Sequence, residues 1–89
     1  MKAIVTVVGK DRVGIIAAVC TKLAEYNINV LDISQTVLQG YFTMSMVTEV
    51  GEATLPLSEL VSRMEEAGNE MGMSIRIQRA DIFDAMHRI

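Results

Sequence analysis

The sequence predicts an α+β fold: a ferredoxin-like βαββαβ sandwich, in which two helices cover one face of a four-stranded antiparallel sheet, followed by a short C-terminal tail helix. Three observations predict it. Segments with strand-like patterning and segments with a 3.6-residue apolar stripe follow one another in the order β-α-β-β-α-β, the split βαβ arrangement. The second and third strands flank the turn signal Gln39-Gly40, so they form a long hairpin. The chain has 89 residues, enough for one domain with a thin core that a second copy would help to cover.

The first strand is Ala3 to Val8, AIVTVV, a β-branched run suited to a central position in a sheet. Gly9 to Arg12 reads as a loop. From Val13 the apolar positions become Ile15, Ile16, Val19, Cys20 and Leu23, which is helical spacing. Asn27 stops that helix. Val30 to Leu38 is the second strand, with Leu31, Ile33 and Val37 on one side. Phe42 to Val50 is the third, with Phe42, Met44, Met46 and Val50 on one face and Thr43, Ser45 and Glu49 mostly opposite. Pro56 suits the first turn of a second helix. Leu57, Leu60, Val61, Met64, Ala67, Gly68 and Met71 draw its apolar stripe, and Gly72 caps it. Ser74 to Arg79 alternates as the last strand, with Ile75 and Ile77 inward. Residues 1–80 form the domain. Residues 81–89 form the tail, whose Ile82, Phe83, Met86 and Ile89 share a helical face and are expected to dock on the domain or on a partner subunit.

Composition narrows the function. Net charge is −3 with acids and bases interspersed, which argues against nucleic acid or an anionic membrane as a partner. The fold class includes RNA readers that stack bases on strand aromatics, but Val5, Thr6 and Val7 supply none and Phe42 stands alone at the start of its strand. One cysteine, Cys20, excludes an intramolecular disulfide. No leader-like segment and no membrane-length apolar run is present, so the expectation is a soluble, cytoplasmic protein.

Catalysis finds little support. Gly9 to Gly14 has the glycine spacing of a phosphate loop, but Ile15 and Ile16 stand where Lys and Ser/Thr are required. A metal site needs several His, Cys or clustered carboxylates, and Cys20 and His87 do not make one. No nucleophile–base pair is indicated, so the expectation is a non-enzyme with no metal and no cofactor.

The loop before the first helix is the better candidate. The first N–H groups of a helix lack internal partners and attract a carboxylate. Gly14 removes a side chain where a ligand would approach closely. Asp11 can accept from an ammonium and Arg12 can pair with a carboxylate, which together suit a free amino acid. The same residues have plainer readings: Asp11 as a helix cap, Arg12 as a solvated charge, Gly14 as a helix–sheet packing contact. Asn29, at the start of the second strand, adds an amide with both donor and acceptor. The Met-rich set (Met44, Met46, Met64, Met71, Met73, Met86) suits pairing surfaces on one reading and plain core on the other.

The stretch from Val5 to Gln35 resembles the opening of an ACT domain. An apolar strand, Val5 to Val8, leads into Gly9, Asp11, Arg12, Gly14 and Ile15, and after a helix come Ile28-Asn29-Val30. The whole chain is similar to stand-alone bacterial ACT proteins, relatives of the ACT halves of the glycine-cleavage repressor. The resemblance implies a regulatory module that binds a small molecule, commonly an amino acid, at an interface between two subunits. It carries the turn residues Asp11, Arg12, Val13, Gly14 and Ile15, together with Asn29, over as ligand-binding positions. Many ligand-binding members have Asn or His-Asn where this chain has Lys10-Asp11. The alternative is an interaction module that regulates a partner protein without a ligand.

Overall fold

The computed structural model describes residues 1–81. Its elements are β1 (Lys2–Lys10), α1 (Ile15–Glu25), β2 (Asn29–Leu38), β3 (Tyr41–Glu49), α2 (Leu57–Met71) and β4 (Met73–Arg79). The sheet runs β2-β3-β1-β4 and every neighbouring pair is antiparallel. The expected βαββαβ order and sheet are therefore present. The tail assigned to residues 81–89 lies, beyond Asp81, outside the described residues.

Alternation on the strands sets the layers. Ala3, Val5 and Val7 of β1, Phe42, Met44 and Met46 of β3, and Met73, Ile75 and Ile77 of β4 all turn to the helices and are buried. Ile15, Val19 and Leu23 of α1 and Leu60, Met64 and Ala67 of α2 meet them. Thr48 is the polar member of this face, and its hydroxyl donates to the Ala3 carbonyl at 2.8 Å, so its burial leaves no unmet donor. Met44, Met46, Met64 and Met73 are core, and Met71 is half-buried against it, which removes these residues from any exposed pairing surface.

Boundaries differ from the sequence reading in small, explicable ways. Gly9 and Lys10 belong to β1 rather than to a loop, because the register with Phe42 and Tyr41 continues to the hairpin tip. α1 begins at Ile15, since Gly14 takes a left-handed φ of 82° that closes the turn. Pro56 occupies the N-cap of α2 and not its first turn, with an extended ψ of 155°. The helix stops lie where expected: Asn27 has φ 58° and Gly72 φ 73°.

Two features of the hairpin matter for the site. Gln39 and Gly40 both have positive φ, 51° and 80°, the two-residue turn that matches strand twist. β2 is the sheet edge, and it reaches beyond the helix layer. Leu31, Ile33, Val37 and Leu38 remain 47%, 40%, 54% and 71% exposed, although Ile33 and Val37 share a face with buried Met46 and Phe42. A bulge between Val30 and Asp32 interrupts its ladder.

Candidate functional site

The turn from Asp11 to Ile15 joins β1 to α1 at the end of the sheet that carries the hairpin tip. Its position is fixed by the Asp11 N–H, which donates to the Gly40 carbonyl at 2.8 Å. No side chain caps α1 and its first turn holds no acidic residue. The Asp11 carboxylate therefore does not cap the helix. Neither Asp11 nor Arg12 makes an ion pair among the described residues, and both are exposed. A Cβ on Gly14 would meet nothing within 4 Å, so this glycine is there for its φ and not for close helix–sheet packing. The space above it is open. Val13 stands fully in solvent beside it, and Ile15 is buried at the start of the helix.

Asn29 begins β2, and Glu49 faces it across the ladder. The chain leading into it is clamped: the Asn27 side-chain amide donates to the Glu52 carbonyl at 2.9 Å, and the Thr54 N–H to the Tyr26 carbonyl at 3.0 Å. Asn27 thus ends the helix and also ties down the next loop.

The sequence places Asp11–Ile15 and Asn29 in one site, but a single chain holds them apart. Lys10 pairs with Tyr41 at one end of β3, and Asn29 pairs with Glu49 at the other. Those eight steps along β3 amount to roughly 26 Å. Two grooves of the molecule contain neither group. One, of about 680 Å³, follows the β4 edge, which no strand of the described residues covers, beside α2, between Val61, Glu65, Asn69, Ser74, Arg76 and Gln78. The other, about 170 Å³, lies on the open sheet face near Ile4, Asp32, Ser34 and Val47. What sequence reasoning missed is this separation. The signal was available in strand lengths: nine residues of β1 and ten of β2 carry the two signatures to opposite ends.

Phe42 faces the helices at 2% exposure and cannot stack a base on the open sheet face. Cys20 is half-buried against the core. Among the described residues no group of three His, Cys, Asp or Glu could hold a metal, and no helix is long and apolar enough to cross a membrane. At the far end of the sheet the amino terminus pairs with Glu49, whose carboxylate also accepts from the Gly51 N–H. The terminal ammonium first, then the Gly51 N–H, hold the Glu49 carboxyl below its ordinary value.

The ACT domain profile matches residues 2–78, and the chain belongs to the ACT domain family. The UPF0237 protein of Bifidobacterium longum is 52% identical over 88 residues, covering 99% of this chain and 98% of that one. Among solved structures, an ACT domain protein from Streptococcus pneumoniae is 47% identical with a TM-score of 0.83, covering 98% of each chain. A structure described as that of a glycine cleavage system transcriptional repressor is 18% identical with a TM-score of 0.73, covering 86% of this chain and 44% of its own, and shares the fold.

Proposed function

We propose that this chain is a regulatory module that binds a free amino acid at the interface of a homodimer, and that Asp11, Arg12, Val13, Gly14, Ile15 and Asn29 form the site. The observation that carries the reading is the separation of its two halves. The turn lies at the hairpin end of the sheet and Asn29 at the other, while the edge strand between them is exposed and apolar. Two copies joined antiparallel through β2 bring Asn29 of one to the turn of the other. Each dimer then holds two equivalent sites.

In such a site the uncapped N–H groups of α1 receive the ligand carboxylate. Arg12 assists them, and Asp11 accepts from the ligand ammonium. Gly14 leaves room for the ligand backbone, and the partner's Asn29 supplies a donor and an acceptor. Ligand occupancy is the output, read by another molecule; the chain is not an enzyme and works in the cytoplasm. The experiment is a thermal-shift screen of the full chain against the free amino acids. A saturating ligand at 100 times its Kd adds about 2.7 kcal/mol. A flat profile across all of them would sink the reading.

A second reading has its own observation, the groove along β4 beside α2 among the described residues. A partner protein seated there would receive the regulatory signal, or would be bound without any ligand. A lysate pull-down that recovers only this chain would count against it.

A further inference from the structure

We propose that residues 82–89 of this chain lie back along β4 and fill the groove between β4 and α2, as a helical strap that closes the outer edge of the sheet. The strap is independent of the amino-acid site proposed above.

The groove it fills is about 680 Å³ in volume. One wall is the row Val61, Glu65 and Asn69, spaced four residues apart on α2. The other is the β4 edge. β4 pairs with β1 and, among the described residues, with no other strand, so the outward N–H and C=O groups of its far side have no ladder partner there. An edge left this way invites pairing with another chain, and a covering helix is one of the ways proteins prevent it.

The chain arrives at the correct end of this groove. Gly72 alone separates α2 from β4, so the two run antiparallel. Gly68 sits against Met73 and Ile75. Val61 comes earlier on the helix and lies roughly 10 Å further back, level with Ile77. Pairing with β1 ends at Arg79. Ala80 and Asp81 then turn from strand into helical conformation, and Ala80 is half-buried. Across this corner the Arg79 guanidinium donates to the Asp81 carboxylate at 2.7 Å. Residue 82 therefore starts beside the Val61 end of the groove.

Length and patterning fit what remains of the sequence, IFDAMHRI. As a helix this segment spans roughly 12 Å, about half the length of β4. Helical spacing puts Ile82, Phe83, Met86 and Ile89 on one side and Asp84 and Arg88 on the other. A strap running from Arg79 toward Ser74 sets Phe83 and Met86 beside Val61 and Ile77 and leaves Asp84 and Arg88 in water. The hollow on the open sheet face is a poorer seat. It has about 170 Å³, a quarter of the volume, and lies across β1 toward β2 and β3. With the strap in place the β4 edge is withheld from other chains, and a partner protein reaches it only when the strap lifts.

Hydrogen exchange and disulfide trapping test this. Deleting residues 82–89 is expected to remove protection along β4 and the adjoining side of α2, while the amides that pair β1 with β3 keep theirs. Unchanged exchange along β4 would overturn the strap. In a Cys20→Ala background of the full chain, Val61→Cys with Met86→Cys is expected to form a disulfide within one chain. Arg63→Cys, on the exposed side of α2, is expected to stay unlinked to Met86→Cys. Linking of both pairs alike, or of neither, would overturn the placement in the groove. A link from Val61→Cys to Met86→Cys of a second chain would put a partner's tail there and overturn the strap as a contact within one chain. If deletion loosens the whole sheet, the disulfide pairs decide the question alone.

Discussion

At the scale of single residues, the β1–α1 turn rests on backbone conformation and not on packing. Gly14 has a left-handed φ and open space where a Cβ would go. Gly14→Ala should therefore lose about 1–2 kcal/mol through backbone strain alone, without a packing clash. Asp11→Ala should leave the unfolding free energy of the free protein within about 0.5 kcal/mol of its original value, since the carboxylate has no ion-pair partner among the described residues. A large loss there would mean that Asp11 is structural. Glu49 is a different case. Its carboxyl is held below the ordinary 4.5 by the amino terminus and the Gly51 N–H. A lowered folded-state value adds stability above the ordinary pKa and loses it as pH falls through the folded one. Glu49→Gln should therefore flatten the acid limb of the stability curve below about pH 4.5 and leave little change in its slope above pH 6. Melting curves across pH 3 to 7 would show it.

At the scale of elements, α2 packs closely on β4 at Gly68. A Cβ on Gly68 would lie 2.7 Å from the Met73 carbonyl oxygen and 2.9 Å from Ile75 Cγ1. Backbone cannot swing aside as a flexible side chain does, so Gly68→Ala should cost about 1–3 kcal/mol by denaturant titration. Leu23→Ala, emptying a fully buried position on α1, should cost about 2–5 kcal/mol. These elements were legible in the sequence because their patterns are periodic. The stripe from Leu57 to Met71 matched the buried and half-buried face of α2 almost residue for residue, and Gln39-Gly40 announced its turn by residue type. β2 was legible as a strand but not as an exposed edge. Val30 to Leu38 has the apolar content of a covered strand, and only the sheet order shows that the helix layer leaves Ile33 to Leu38 uncovered. Gly68 read as one more small residue in a stripe. The carbonyl it makes room for comes from β4, which no local pattern reveals.

At the scale of the whole molecule, the residues proposed for the ligand site lie at opposite ends of the sheet. The turn and Asn29 were each recognisable by residue type and spacing, but their separation follows from strand length. The tail belongs to this scale too. If residues 81–89 dock on the domain or on a partner subunit, truncation after Ala80 should lower the melting temperature or shift the dimer toward monomer by light scattering; an equally stable dimer would rule the tail out as a contact. In the proposed dimer each site would draw its turn from one copy and its Asn29 from the other, so a copy lacking Asp11 and a copy lacking Asn29 would still make one complete site between them. The decisive measurement is a thermal-shift titration with free amino acids of four samples: the unsubstituted protein, Asp11→Ala, Asn29→Ala, and the two variants refolded together. The account predicts that one amino acid stabilises the unsubstituted protein and the mixture, and neither variant alone. A ligand that still stabilises both single variants, or no stabilisation of the unsubstituted protein by any amino acid, would contradict it.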